Sequence, residues 1–143
     1  MFSRTCEYGI KVMVYLWQRD YSTTPWAGVQ EIADEIESPV SFTAKVLQQL
    51  TKQGLLNSVR GPHGGFARIS NKTITLADIV KAIDGEKIMK DCVLGFRECS
   101  SEQPCPVHHK FVGVKDYLKE VLTTTEMDEL TELLREGKVV LKQ

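Results

Sequence analysis

Three cysteines and one histidine lie close together in the second half of the chain. Cys92, Cys99, Cys105 and His108 follow the spacing C-x6-C-x5-C-x2-H, and the sequence contains one other cysteine, Cys6. Thiolate sulfur and imidazole nitrogen are ligands that zinc and iron–sulfur clusters favour. The residue types and their spacing therefore predict a metal site or a redox-active thiol site within one segment.

This segment leaves three kinds of site open. An iron–sulfur cluster would take the three thiolates and need one further ligand. Zinc would be bound tetrahedrally by the three thiolates and His108. Without metal, Cys92 and Cys105 would join as a disulfide on oxidation. Cys6 falls on a predicted helix and is expected to be a small buried apolar residue.

The composition indicates a folded protein in a reducing compartment. Apolar residues make up 42% of the 143 residues, which is enough for a buried core. No stretch is long and apolar enough to span a membrane, and Arg4, Glu7 and Lys11 interrupt any apolar run of a signal peptide. We therefore expect a cytoplasmic protein, in which clustered cysteines are more often ligands or switches than structural disulfides.

Hydrophobic periodicity and turn residues predict the elements of the first half. Helices are predicted over residues 5–19, 29–37 and 38–53, with Ser38 as the cap of the third helix and Gly54 at its end. Two short helices joined by a tight break, the second with a polar outer face, are typical of a helix-turn-helix unit.

A β-hairpin is predicted directly after the third helix. Strands at residues 55–59 and 66–69 flank the glycine-rich turn 60–65, which predicts a wing. Because this turn joins two strands and not a strand and a helix, it is no nucleotide-binding motif. An oxidoreductase that uses the cysteines for electron transfer is therefore disfavoured, and we expect no enzymatic activity.

The second half is predicted to be helical around the cysteine segment. Thr75 and Asp78 indicate a capping box for a helix that ends at Gly85, and Thr125 is expected to cap the last short helix. Between them, a long helix over about 108–123 carries an apolar stripe with no obvious cover within the chain. Proteins that bind two-fold symmetric DNA through a helix-turn-helix unit need to be dimers. The stripe is therefore predicted to be the contact surface of a homodimer. It consists of Phe111, Val114, Leu118, Val121 and Leu122.

The net charge of −1 conceals an uneven distribution of charge. Residues 38–77 contain no Asp or Glu, whereas residues 116–136 contain seven acids. A basic middle next to an acidic tail gives one face suited to phosphates, so we expect binding to double-stranded DNA. A protein–protein adaptor is the alternative, and salt-dependent duplex binding would exclude it.

The expected DNA contacts lie on the third helix and the wing. Ser41 and Thr43 are candidates for base edges or phosphates, and Arg60 at the wing tip is the candidate for the minor groove. His63 is either a phosphate contact or a solvated turn residue. Four more side chains are candidates for positioning the phosphate backbone: Lys45, Gln48, Gln49 and Lys52.

Three segments together resemble one protein family. They are SVRGPHGGF at residues 58–66, LQQLTKQGL at 47–55 and ITLADIVKAIDG at 74–85. The first is similar to the wing signature S-V-R-G-x-x-G-G-[YF] of the Rrf2 family of bacterial winged-helix regulators, which includes the iron–sulfur regulators IscR and NsrR. The resemblance covers nearly the whole chain. It implies a homodimeric regulator whose operator binding is controlled by an iron–sulfur cluster.

The resemblance also suggests the cluster ligands. Three loop cysteines are typical of the cluster-binding branch, and His108 resembles the fourth ligand of an IscR-type [2Fe–2S] cluster, which we favour. Glu7 stands where other members place an acidic ligand from the dimer partner, as in NsrR-type [4Fe–4S] sites. The chain departs from the family at His63, where glycine is common, and in the six residues between Cys92 and Cys99, where many members have five.

These observations predict a mainly α-helical protein with a small β-hairpin wing. A winged helix-turn-helix domain is expected over residues 1–85 and a cluster-binding loop over 86–107. Residues 108–143 are expected to form the dimerisation helix and a C-terminal helix.

Overall fold

The computed structural model describes residues 1–20 and 22–141. The chain is mainly α-helical with one antiparallel two-stranded hairpin, as the sequence predicts. The elements are α1 (Arg4–Gln18), α2 (Val29–Glu35), α3 (Val40–Lys52), β1 (Leu56–Val59), β2 (Gly65–Arg68), α4 (Leu76–Asp84), α5 (Lys87–Lys90), α6 (His108–Thr124) and α7 (Met127–Arg135).

The core is built around α1. Val12, Met13 and Leu16 are fully or almost fully buried on this helix, which packs against α3, α4 and α7. Burial of large aliphatic side chains is the main stabilising term for such a packing. Gly9 lets α4 come close, since a Cβ at this position would overlap the side chain of Ile83.

The helix-turn-helix unit consists of α2 and α3. Glu37 lies between them with φ +53°, in the left-handed region. Ser38 does not cap α3, contrary to the prediction: Pro39 (φ −58°, ψ 136°) is the last residue before the helix and provides no side-chain cap. Ser38 thus lies one residue before the cap position of α3. Its backbone N–H donates to the carbonyl of Ala33 at 2.9 Å and so satisfies a carbonyl at the C-terminal end of α2.

The wing is attached to the segment before α2. In the hairpin, Leu56 pairs with Arg68 and Val59 with Gly65. Phe66 and Ala27 also exchange two backbone hydrogen bonds of 2.8 and 2.9 Å. Gly65 has φ +150°, and a Cβ there would overlap the Ala27 carbonyl. A side chain at this position would therefore strain the wing.

The capping box at the start of α4 is confirmed. The Thr75 side chain accepts from the Asp78 backbone, and the Asp78 carboxylate accepts from the Thr75 N–H at 2.9 Å. The predicted cap at Thr125 is wrong. Thr125 ends α6 by donating its hydroxyl to the Val121 carbonyl, and Glu126 occupies the cap position of α7.

The apolar stripe of α6 is divided between the core and the surface. Leu122 is buried against Cys6 and Val80, so the prediction that it lacks cover within the chain is wrong. Phe111 and Val114 of the stripe are 37% and 59% exposed, and Leu118 and Val121 are half-buried. Tyr117, which lies outside the predicted stripe, is 68% exposed. Within residues 1–20 and 22–141, no helix is both long and apolar enough to cross a membrane.

Candidate functional site

The exposed side of α3 carries four of the predicted DNA contacts. Ser41, Lys45, Gln48 and Lys52 are all exposed. Their spacing of four, three and four residues places them along one face of the helix. This face combines two cations with two hydrogen-bonding side chains, a combination suited to phosphates and base edges.

Two other residues of α3 do not reach this face. Thr43 is 0% exposed, and its hydroxyl donates to the Pro39 carbonyl at 3.0 Å. Its side chain is occupied inside the protein, so the prediction of a DNA contact is withdrawn. Gln49 is half-buried, and its side-chain N–H groups donate to the carbonyls of Ala82 at 3.0 Å and Ile83 at 3.4 Å. Gln49 therefore serves an internal contact and not the phosphate backbone.

The tip of the wing presents the remaining candidates. Arg60 directly follows β1, and Arg60 and His63 are both exposed. The turn between them is closed by a hydrogen bond of 3.1 Å from the Gly64 N–H to the Gly61 carbonyl. A guanidinium on a narrow, glycine-containing turn has a shape that can enter a minor groove.

The cysteine-containing segment is held between α5 and α6. The Cys99 N–H donates to the carbonyl of Lys90 at the end of α5 (3.1 Å). The N–H of His108, the first residue of α6, donates to the Cys105 carbonyl (2.9 Å). Cys92 is buried, while Cys99 and Cys105 are half-buried, and all three are free thiols. The segment is largely irregular, but its ends are fixed by these bonds.

The four predicted donors form two pairs. The Cys99 sulfur lies 3.4 Å from Nδ1 of His108, and the Cys105 side chain lies near enough to Cys92 to lower the pKa of its thiol. In the part of the chain that the structure describes, no three His, Cys, Asp or Glu side chains converge on one point. The donor types are those that bind an iron–sulfur cluster or zinc, and the structure holds them as two separate pairs on one short segment.

The thiols differ in their electrostatic surroundings. A hydrogen bond from the Leu94 backbone is the main cause that lowers the pKa of Cys92; burial opposes it, and Cys105, Phe96 and Lys115 lower the pKa further. Burial raises the pKa of Cys6 to about 12, with Asp84 adding to the effect. The surroundings of Cys92 therefore favour the thiolate more than those of Cys6 do, although both side chains are buried. Cys6 is the small buried residue that the sequence predicts.

Comparison with known proteins shows the family of the chain. A sequence model of the Rrf2 family, described as an iron-dependent transcriptional regulator, matches residues 2–133. This chain belongs to the Rrf2 family. An HTH-type transcriptional regulator of Aquifex aeolicus is 33% identical over 134 residues, which are 91% of this chain and 90% of that protein. The chain is therefore a transcriptional regulator and not an enzyme.

Solved structures share the Rrf2 winged-helix fold. CymR, the global cysteine regulator of B. subtilis, superposes with a TM-score of 0.76 at 22% identity and covers 92% of this chain and 96% of its own. IscR of T. potens superposes with a TM-score of 0.73 at 20% identity, and the match covers 98% of this chain and 92% of IscR. Both likenesses show that the fold of this chain is the winged-helix fold of these regulators.

Two further features of this Rrf2 site bear on its ligands. Glu7 is exposed in the first turn of α1, and no hydrogen bond or ion pair among the described residues joins it to the cysteine segment. Lys115, which the sequence reading missed, donates to the Asp91 carbonyl beside Cys92 and lines a surface cavity with Cys99 and His108. The sequence could have indicated Lys115, because a residue seven positions after His108 lies on the same face of the helix.

Proposed function

We propose that this Rrf2 regulator binds operator DNA with an affinity that depends on the state of its cysteine segment. An iron–sulfur cluster on Cys92, Cys99, Cys105 and His108 is the favoured form of that control. The main support for this proposal is the contact of 3.4 Å between the Cys99 sulfur and the His108 imidazole, because it brings together a thiol and an imidazole that could both be ligands of the cluster. The family description as iron-dependent supports the same assignment.

The residues around the segment suit this role. Three thiolates carry negative charge, and the Lys115 ammonium next to Cys92 offsets part of it. When bound, an iron–sulfur cluster supplies a labile centre that responds to oxidants, nitric oxide or iron supply. A neutral ligand such as His108 in place of a fourth thiolate leaves the site less negatively charged. The reducing cytoplasm is the compartment that this chemistry requires.

The DNA-binding half acts through a homodimer in this proposal. Each protomer places the exposed face of α3 in a major groove and Arg60 in the neighbouring minor groove. The exposed apolar side of α6 is the proposed contact between protomers. The two α3 helices then lie one helical turn of DNA apart, and the operator has a corresponding two-fold symmetry.

The cluster is tested on protein purified without oxygen. We expect visible absorption together with iron and sulfide in the unchanged protein, and their loss in Cys92→Ala, Cys99→Ala and Cys105→Ala. Cys6→Ala is the matched control, because Cys6 is buried among apolar residues of α4 and α6. Colourless protein with stoichiometric zinc, or with no metal at all, would refute the iron form of the proposal.

A cluster-free thiol switch is the second candidate. The effect of Cys105 on the pKa of Cys92 favours it, because the Cys105 side chain must lie near the Cys92 thiol to lower that pKa. Oxidation of metal-free protein should then yield a Cys92–Cys105 disulfide in a peptide digest, reversed by a thiol reductant. Cys99→Ala should still form this disulfide. A pairing of Cys99 with either neighbour would contradict the assignment.

Binding to DNA is tested by selection from random duplexes followed by titration. We expect a two-fold symmetric sequence, and an affinity that falls steeply with salt because cationic side chains release condensed counterions. An adaptor that binds only protein would enrich no sequence.

A further inference from the structure

The last turn of α4 is held by α3. The final carbonyls of a helix have no donor within the helix and need other partners. In α4 the Lys81 carbonyl accepts from the Gly85 N–H, while the Ala82 and Ile83 carbonyls accept from the side chain of Gln49 at 3.0 and 3.4 Å. Gln49 on the DNA-reading helix therefore caps α4 from outside.

The same turn is also held by α1. The Asp84 carboxylate accepts from the Ser3 backbone N–H at 2.8 Å and from the Ser3 hydroxyl. Ser3 in turn caps α1 by accepting from the Cys6 N–H at 3.0 Å. The end of α4 is therefore a junction of three helices.

A short series of contacts leads from this junction to the cysteine segment. Gly85 follows α4 with φ +74°, a conformation that glycine adopts without strain. The Glu86 carboxylate pairs with Lys81 on α4 at 3.3 Å and with Lys90 on α5. The Lys90 carbonyl then accepts from the Cys99 N–H at 3.1 Å. A displacement of Cys99 would therefore act on α5 and on the last turn of α4.

We propose that Gln49 is a positioning residue that transmits the state of the cysteine segment to the DNA-reading helix. This inference rests on the proposed function. Gln49 follows Gln48 on α3, so a shift of the α4 carbonyls that it caps acts on the helix that presents Ser41, Lys45 and Lys52. Allosteric coupling of this kind is a free energy between two sites, which is measured as a ratio of affinities.

The test is the ratio of DNA affinities between two states of the segment. The selected duplex is titrated with cluster-loaded protein and with metal-free protein, and the two values of Kd are divided. In the unchanged protein we expect a ratio of about 5- to 150-fold, the usual range of allosteric coupling. Gln49→Met keeps the length and removes both donors, so the ratio should fall to within about twofold of one, near the limit of additivity for independent sites.

Two further variants separate coupling from simple stabilisation of α4. Gln53→Met makes the same change at an exposed position at the end of α3 and should keep the full ratio. Gln49→Lys provides an ammonium that can donate to the same carbonyls and should restore the ratio. If Gln49→Met does not fold, Gln49→Glu replaces it, since its carboxylate cannot donate.

The outcomes are distinguishable. A full ratio in folded Gln49→Met or Gln49→Glu overturns the role of Gln49 and leaves the proposed function intact. A ratio of one in the unchanged protein overturns the proposed function and, with it, the transmitting role. Loss of the ratio in Gln53→Met as well would mean that α3 is sensitive to any change, which also overturns the specific role of Gln49.

Discussion

The sulfur of Cys99 lies 3.4 Å from Nδ1 of His108, the first residue of α6. This contact joins the middle of the cysteine-containing segment to a long regular helix. His108 is buried, whereas the neighbouring His109 is exposed. Of the two adjacent histidines, His108 is the one that contacts a thiol among the described residues, which gives a direct test of the fourth ligand.

His108→Ala should perturb the spectrum and stability of the cluster more than Glu7→Ala does, because His108 contacts a ligand cysteine and Glu7 lies exposed on α1. Visible absorption and the rate of cluster loss in air are the measurements, with His109→Ala as the matched control. A larger effect of Glu7→Ala would indicate a carboxylate ligand from the dimer partner and favour a [4Fe–4S] cluster.

Arg60→Ala should weaken binding to operators with A·T-rich flanks by about 1–3 kcal/mol, because the guanidinium at the wing tip would no longer enter the narrow minor groove. Affinity is measured by mobility-shift titration at fixed salt. Lys138→Ala removes a positive charge from the segment after α7 and serves as the control. Equal affinities of Arg60→Ala and the unchanged protein would reject the assigned role.

Val114→Glu should yield a folded monomer, because Val114 is 59% exposed and the charge would lie on the proposed dimer contact. Sedimentation equilibrium gives the mass, and circular dichroism checks the fold. Leu122→Glu should instead unfold the chain, since it places a carboxylate among Cys6, Ala77 and Val80. A Val114→Glu variant that stays dimeric would place the seam elsewhere.

Gly65→Ala should lower the free energy of unfolding by about 1–3 kcal/mol, because its Cβ would overlap the Ala27 carbonyl in a backbone conformation with φ +150°. Thermal unfolding measures the loss. Gly113→Ala is the control: its Cβ meets nothing within 4 Å, and alanine is the better helix former by about 1 kcal/mol. Equal stabilities of Gly65→Ala and the unchanged protein would contradict the described wing geometry.

The pKa of Cys6 is raised to about 12 in the folded protein, mainly by burial, from an ordinary value of 9.0. As the pH rises, the unfolded chain thus loses this proton before the folded protein does. The contribution of Cys6 to the free energy of unfolding is therefore complete below pH 9 and is lost as the pH rises from 9 towards 12. Denaturant titrations at pH 8 and pH 10 should show a smaller loss of stability for Cys6→Ala than for the unchanged protein. Identical losses would show that Cys6 does not contribute.

The sequence by itself predicted the features that depend on short-range contacts. The capping box between Thr75 and Asp78, the glycine-rich wing and the exposed face of α3 all follow from residues a few positions apart, and the structure contains each of them. Their geometry is set by local backbone bonds and by helical periodicity, which the chain carries wherever it is placed.

Tertiary packing decided the features on which the regulatory proposals rest. Whether Thr43 and Gln49 face DNA depends on what lies beside α3, and the Pro39, Ala82 and Ile83 carbonyls take their side chains instead. Leu122 belongs to the apolar stripe of α6 by spacing, but α4 covers it. Hydrophobic patterning predicts that a side chain will be buried but not what it packs against, because the hydrophobic effect is not directional. Hydrogen bonds between distant residues form only once the helices have packed, so local sequence does not predict them.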